Sequence, residues 1–484
     1  MQILVAVLVV LPATLLAQPD TLWTRNFRPQ QSNPTGLGLA PASDGGYFFG
    51  GDWIAPREQH GFFHSCITRT DSLGRTIWQK TPRFAERYQY FGGLTEVPDG
   101  GVLVAARGEN NRIDLAMIFK LDQNGDSVWC NFYGEGNFVD IVIGADGSAV
   151  AAGSTIEYGQ FGDDDAYVVK IDENGEVIWR RVFGGNTRDE LARILVTPDD
   201  GYLLVGTTGP FGDGQGWLVK IDSEGRQQWS RAYGGQEGEL FYAATLTPEG
   251  GYLAGGCSVI PREDGFTNVQ NFLAKVDENG DTLWTHIFDN PVVPNEDDFI
   301  FGLTNSPGGG YLAVGTGSWT RRVRPSVLRL SEDGEMIWHL DIAESRGAFH
   351  DVLPTPDGGY LIGGENLWFP NGAFLVRVGP DSTALNAVVL PDPAFPSQFA
   401  IEAAYPNPFN SSTTITFSTG SAARPTRLAV YDVRGRLVEE LVNDRLVTGS
   451  HSAVWNADGV GAGIYFVNLE SGNQSFMQKI ILLR

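Results

Sequence analysis

The stretch KIDENGEVIW, Lys170 to Trp179, sets Asp172, Asn174 and Glu176 alternately around Gly175. Oxygen-bearing side chains at that spacing are what a hard cation such as calcium takes as ligands. A second set of carboxylates, Asp189, Glu190, Glu239 and Asp298, opens strands expected on pattern. Together they could hold calcium, the one cofactor the sequence leaves open, or act as an acid and base pair; a solvated acidic rim is the plainer reading. His60 and His64 stand four apart in a loop-to-strand region, where that spacing does not place both on one face, so no metal site is expected there. The patterns H-E-x-x-H, G-x-x-x-x-G-K-[ST] and G-x-S-x-G are absent, so no catalytic residues can be named. Cys66, Cys130 and Cys257 are odd in number and far apart, which suits buried thiols rather than staples or ligands.

The first of these patterns is not unique. It returns as KLDQNGDSVW, KIDSEGRQQW, KVDENGDTLW and RLSEDGEMIW, and in looser form as TRTDSLGRTIW. A feature repeated that often reads as architecture: Asp starts a turn, Gly takes its left-handed position, and the Trp wedges against a neighbouring unit. A calcium loop of the helix-flanked kind would need a bidentate Glu at its twelfth position on an exiting helix, and here a strand follows. Between these units runs a second phrase, PDDGYLLVG from Pro198, PEGGYLAGG from Pro248, PDGGYLIGG from Pro356 and four relatives. Successive Trp residues from Trp23 to Trp338 lie 50 to 55 residues apart, the size of a four-stranded propeller blade.

Each unit divides into strands a to d. In FYAATLT, GYLAGG, NFLAKVD and TLWTHIF, β-branched and aromatic residues alternate with turn residues and no helical period competes. The expected fold is all-β, a seven-bladed β-propeller over residues 18–382. The last unit lacks its Trp, whereas QPDTLWTRNF near the N-terminus matches GDTLWTHIF. The N-terminal strand is therefore expected to complete the last blade and remove an open sheet edge; the competing reading makes Ala384 to Leu390 that strand. The D-x-x-G-x-x-x-W pattern resembles the tryptophan-docking repeat of quinoprotein-like propellers. The whole unit is similar to repeats of exported Bacteroidota proteins. Sialidase Asp-boxes are spaced differently and are set aside.

The ends concern address. Residues 1–17, MQILVAVLVVLPATLLA, read as a signal peptide cut before Gln18, although no basic residue precedes the apolar run. No later stretch has the length of a membrane-spanning helix. Residues 383–402, with Pro391, Pro393 and Pro396, read as a stiff linker. Residues 403–484 read as a small β-sandwich. Its phrases are Tyr405-Pro406-Asn407-Pro408-Phe409, Asp432 with Gly435-Arg436, Gly463 with Tyr465, and Lys479. They resemble the type A C-terminal sorting domain of the type IX secretion system, and also hook-capping-protein Ig-like domains. The first resemblance implies handling by the secretion machinery and a secreted or outer-surface location; the alternative is a plain Ig-like spacer.

The net charge of −24 lies wholly before Tyr405 and argues against nucleic acid, whose phosphates need clustered cations. A quinoprotein-type enzyme would be expected to carry an adjacent Cys pair, and none exists. Two function classes remain: a non-catalytic recognition or scaffold module, which the absence of motifs favours, and a propeller-based polysaccharide hydrolase, lyase or dehydrogenase with a dispersed site. The b-to-c loops vary in length and carry Trp53, Tyr158, Phe161, Phe211, Trp319, Arg321, Arg322, Trp368 and Phe369. Aromatic rings with Arg are the composition of binding surfaces, so these residues are expected to meet a glycan or protein ligand. The plainer reading is that several of the rings pack their own loops.

Overall fold

The computed structural model describes residues 21–27, 38–54, 63–158, 164–209, 214–235, 238–261, 267–288, 297–317, 324–341, 347–366, 372–380, 400–405, 407–419, 424–434, 436–446, 449–457, 459–471 and 474–483. The signal peptide, Ala384 to Leu390 and nearly all of the linker lie outside these residues. The chain divides into two compact units, Met1–Leu390 and Pro391–Arg484. No helix occurs among the described residues, and none is long and apolar enough to cross a membrane.

The repeated Asp-x-x-Gly turn uses its own carboxylate. Asp172 Oδ1 accepts the backbone N–H groups of Asn174 and Glu176, both at 2.9 Å. These donors hold the carboxyl below its ordinary range. Gly175 sits at φ +84°, where a side chain would be strained. The same pair of bonds recurs at Asp122, Asp222 and Asp277. The pattern that looked like a cation loop is a hairpin whose acceptors face its own backbone.

Each turn is also a seat for the preceding unit's tryptophan. Trp179 Nε1 donates to Ser223 O at 3.2 Å, Trp78 to Gln123 O at 2.9 Å and Trp229 to Glu278 O at 3.1 Å. The indole lies flat enough on the turn that a β-carbon added at Gly225 would stand 3.1 Å from the Trp179 ring. Gly74 meets Trp23, Gly125 meets Trp78, Gly175 meets Trp129, Gly280 meets Trp229 and Gly334 meets Trp284 in the same way. Glycine is required twice over in these turns, for the backbone angle and for the ring above it.

Around these contacts the strands form five four-stranded antiparallel sheets and one of seven strands. A typical four-stranded sheet runs Asp189–Val196, Tyr202–Thr208, Gln215–Ile221 and Gln227–Tyr233 in chain order, strands a to d. In the seven-stranded sheet the long strand Ser127–Ile143 pairs with Ile113–Leu121 along its first half and with Ala149–Thr155 along its second. It thus serves as strand d of one unit and strand a of the next. Strand a bulges in nearly every unit, for example between Phe241 and Ala243. That bulge drives the Leu240 carbonyl to within 1.8 Å of where a β-carbon on Gly256 would be. The small residues of strand b answer this bulge and the neighbouring sheet, rather than crowding at the axis as their smallness alone suggests.

The first and last sheets meet. Thr21–Phe27 pairs antiparallel with Gly372–Val378, Trp23 opposite Arg377 and Phe27 opposite Ala373, and takes the outer place that strand d takes elsewhere. Leu39 donates its N–H to Asp351 Oδ2 at 2.9 Å. A core of Phe27, Leu361 and Leu375 with Leu39, Tyr47 and Phe49 fills the space between the two sheets. Similar cores join successive sheets, such as Val150, Val168, Leu191, Leu204 and Val219. The result is a propeller-like arrangement of sheets.

A second recurring contact was not foreseen from the pattern. The acid of each PDGG-type turn pairs with the cation of strand c: Arg69 with Asp44, Lys120 with Asp99, Lys170 with Asp146, Lys220 with Asp199, Lys275 with Glu249 and Arg377 with Asp357. The cations are enclosed, Lys170 and Lys220 being 4% exposed, while the acids stand at the surface. In PGGG, where no acid exists, Arg329 donates instead to Gly309 O at 2.6 Å. Each pairing satisfies a buried charge whose isolation would be costly.

The C-terminal unit contains a three-stranded sheet, Ala400–Tyr405, Ser412–Thr419 and Gly449–Asn456, and a four-stranded one. The latter is ordered Leu437–Leu446, Arg424–Asp432, Gly463–Ser471 and Gln474–Leu482. Phe409, Ile415, Phe417, Leu428, Trp455, Val467 and Ile480 make their common core.

Two predictions follow from these contacts. Trp179→Ala removes a half-buried ring and its hydrogen bond and is expected to cost about 2 kcal/mol. Gly225→Ala, at φ +75°, is expected to cost about 1–2 kcal/mol; denaturant titration checks both, and two unchanged midpoints would contradict the docking account. The second concerns acid. Asp146 is pulled down to about 2, against burial, chiefly by its hydrogen bond from Lys170; hydrogen bonds and charge from Lys120 and Lys220 act likewise on Asp99 and Asp199, where burial opposes them. A lowered folded-state value stabilises above the unfolded value and is lost as pH falls through the folded one. Thermal stability should therefore drop between about pH 4 and pH 2, and Asp146→Asn should flatten part of that slope.

Candidate functional site: the loop-rich mouth of the channel

The a-to-b and c-to-d turns share one face of the ring of sheets, where they are short and repetitive. The starts of strands a and the ends of strands b share the opposite face, and there two cavities adjoin. One, of about 410 Å³, is lined by Asn137, Val139, Glu190, Ala192, Thr207 and Tyr242 among others. The other, of about 370 Å³, is lined by Arg107, Arg112, Asp114, Glu135, Asp164 and residues common to both, Asn137, Ser154, Arg188 and Glu190. Arg188 binds Glu190 at 2.6 Å and Asp164 at 3.1 Å, and Arg107 binds Asp114 at 3.3 Å. Charge in this mouth is thus largely balanced by pairs. Both volumes fall within the range of about 300–1,000 Å³ typical of small-molecule sites.

Below the mouth the channel is crossed by charge. Arg193, on strand a, reaches Asp351 Oδ1 at 3.0 Å, with Asp140 beside it. Asp140 Oδ2 accepts Ile194 N–H at 3.1 Å, tying one strand a to the next, as Asp351 does through Leu39. Burial raises the Asp140 carboxyl, partly offset by the Arg193 charge. These three residues line a separate cavity of about 480 Å³ on the turn side. One wall above them is aromatic: Phe299 and Phe301 stack with centroids 5.7 Å apart, Phe301 stacks on His350 at 5.4 Å, and Tyr242 lies 5.4 Å from Phe301.

The structure separates the carboxylates that the sequence grouped. Asp189, Glu239 and Asp298 are 1%, 2% and 1% exposed, so they are not a solvated rim, and each begins strand a of a different sheet. Asp189 Oδ2 accepts Gly185 N–H at 2.9 Å and Glu239 Oε1 accepts the Ser258 hydroxyl at 3.3 Å, so each serves its own sheet. Only Glu190 is exposed and reaches the mouth. Among the described residues no three His, Cys, Asp or Glu side chains are grouped to hold a metal.

Of the expected loop residues, Phe161, Phe211, Trp319, Arg321, Arg322, Trp368 and Phe369 lie outside the described residues. Trp53 lies within the strand Tyr47–Ile54, opposite His64, rather than in the loop after it, and is half-buried. Tyr158 lies 5.5 Å from Tyr167 and accepts a bond from Arg180 at 3.0 Å, so this ring rests on strands c and d of its own sheet. Tyr242, Phe299, Phe301 and His350 were missed; they sit at strand a positions two apart or next to the bulge, and the run DFIFG shows that alternation. The thiols of Cys66, Cys130 and Cys257 are unpaired, and burial pushes each up to about 12.

In the C-terminal unit the motif residues are structural. Asn407 Oδ1 accepts Ile481 N–H at 2.9 Å, and Phe409 exchanges backbone bonds with Ile481 and Leu483. Phe409 and Tyr465 both meet Trp455 edge-on. Asp432 accepts two backbone N–H groups, of Arg434 and Arg436, and the Arg436 side chain at 2.7 Å. Tyr405 ends one strand and Gly463 begins another, and Lys479 is exposed. Pro406 and Gly435 lie outside the described residues.

Residues 403–483 match the secretion system C-terminal sorting domain, which marks proteins carried by the type IX system to the cell surface or beyond it. No curated protein matches the chain. Among solved structures, the chain is similar to Sqt1 from Chaetomium thermophilum, with a TM-score of 0.43, 12% identity, and 72% of this chain and 82% of that one covered. It is also similar to a protein of unknown function from Dyadobacter fermentans DSM 18053, with a TM-score of 0.42, 9% identity, and 75% and 99% covered. Puromycin hydrolase gives a TM-score of 0.46, 14% identity, and 81% and 59% covered. The strand pairing, not these distant likenesses, carries the fold.

Arg193→Met is expected to cost about 3 kcal/mol, because it leaves two enclosed carboxylates facing one another without their cation. Chemical denaturation checks this, and a variant as stable as the parent at neutral pH would show that the bridge does not hold the strands together.

Proposed function

We propose that this exported protein is a non-catalytic recognition module, a propeller that holds a glycan or protein ligand on its loop-rich face and is delivered by its C-terminal domain. We count seven blades: the five four-stranded sheets, and two more in the seven-stranded sheet that share the strand Ser127–Ile143. The strand Thr21–Phe27 acts as the clasp of the ring. The C-terminal sandwich is taken to be Ig-like and to engage the secretion machinery.

One observation carries the binding reading. Both faces have cavities, but those of the turn face, of about 540 and 480 Å³, are lined by repeated turns and strand ends whose acids are paired with strand c cations or backbone, whereas the two adjoining cavities of the opposite face are lined by residues that differ from unit to unit, with donors, acceptors and aromatic rings. A rigid frame with variable loops on one side is the usual way of mounting a binding site. Among the described residues no titratable pair in the mouth is placed as a nucleophile and its base, and Arg188 is held between Glu190 and Asp164.

Deleting Ala404 to Arg484 is expected to leave the protein in the periplasm with its thermal transition retained, as read by fractionation and calorimetry. Normal surface display of the shortened chain would contradict the sorting role. For the binding role, the intact protein is screened against glycans and envelope proteins with and without calcium. The triple variant Trp53→Ala, Trp319→Ala, Trp368→Ala is expected to stay folded, with a melting temperature lowered by loss of the half-buried Trp53 ring, and to lose retention; unchanged retention would remove those rings from the site.

A further inference from the structure

We infer that the upper half of the channel, the cavity of about 410 Å³ walled by Tyr242 and rimmed by Asn137, Arg188, Glu190 and Thr207, is a cup for a neutral pyranose unit of an oligosaccharide. The inference rests on the recognition reading above and names its ligand class and its place.

A pyranose ring has two demands. Its C–H faces are apolar and pack on flat aromatic surface, while its hydroxyls each donate and accept. The cup supplies both. On one side stands Tyr242, backed by Phe301 at 5.4 Å and continued by Phe299 and His350. The Tyr242 hydroxyl lies beside the buried Cys257 thiol and is raised by burial; a neutral phenol ring, backed in this way, presents an apolar wall. On the other side the Arg188–Glu190 pair at 2.6 Å offers guanidinium donors and carboxylate acceptors without net charge. Asn137 and Thr207 add an amide and a hydroxyl.

The balance of charge decides the class. A phosphate or sulfate would need an unpaired cation, yet the one cation among the described residues lining this cavity, Arg188, is held by Glu190 and Asp164. A neutral polyol asks only for paired donors and acceptors, which the rim has. The Arg193–Asp351 bridge belongs to the turn-side cavity and not to the cup, so entry is expected from the loop face.

The test is calorimetric titration of the intact protein with cellohexaose, laminarihexaose and mannohexaose, beside oligomers of glucuronate and of glucosamine. At least one neutral hexasaccharide is expected to bind saturably. Tyr242→Ala should weaken it about tenfold or more, as loss of a central ring does. Tyr242→Phe should stay close to the parent, and Glu190→Ala, at an exposed position, should weaken it without altering the melting temperature. If Tyr242→Ala fails to fold, Glu190→Ala and Tyr242→Phe still decide. Binding of charged oligomers alone overturns the inference. So does neutral binding that survives both Tyr242→Ala and Glu190→Ala; if that binding is lost in the Trp53, Trp319 and Trp368 variant, the cup is wrong and the recognition reading stands. Absence of binding to every oligomer also overturns the cup, and a protein ligand retained in the earlier screen would then show that only the ligand class had failed.

Discussion

The seating of each indole on the next unit's glycine turn is the contact on which the rest of this structure depends. A four-stranded sheet of this size cannot bury both faces alone and gains its stability from its neighbours. The Trp179 ring on Gly225, with its N–H on Ser223 O, fixes the spacing between outer strands. At the inner edge Asp140 and Asp351 fix it through Ile194 and Leu39. Between these two points the apolar side chains fill a wedge of constant size, and the repeat length stays near 50 residues for that reason.

Because the same turn must serve as hairpin and seat, the turn face has little freedom to evolve. The recurring acid of each hairpin is committed to backbone N–H groups, and that of nearly every PDGG-type turn to an enclosed lysine or arginine. The opposite face has no such duty. There strand a can bulge, expose alternate side chains to the channel and vary from unit to unit: Val139, Ala192, Tyr242, Phe301 and His350 occupy comparable places next to the bulge. That variation makes one side of the channel aromatic and leaves small side chains, Val139 and Ala192, on the other, which is the asymmetry a ligand would need.

Much of the frame was legible in the sequence because repetition amplifies weak signals. Seven GG-type turns and evenly spaced Trp residues define units, and TLWTRNF at Trp23 matches TLWTHIF at Trp284 closely enough to assign the outer strand of the last sheet. The pairing of each PDGG acid with the strand c cation was not read, although both recur at fixed separation, because a surface acid and a strand lysine look like ordinary solubility. The carboxylates Asp189, Glu239 and Asp298 were grouped by chain position, but each lies on its own sheet, and equivalent places in a ring need not be adjacent. Tyr242, Phe299, Phe301 and His350 escaped because a bulge changes which residues of a strand face the channel, and no local residue type announces it. In the tail the motif residues read well as a domain and turn out to be its packing and turn chemistry.

The central claim, a rigid frame that binds at one face, is tested most directly by hydrogen exchange of the intact protein with and without its saturating oligosaccharide. Slowed exchange should centre on the segments 137–139, 188–192 and 238–242, which line the cup, while the hairpins at Asp172, Asp222 and Asp277 remain unchanged. Protection centred on those hairpins instead, or spread evenly over every sheet, would contradict the account.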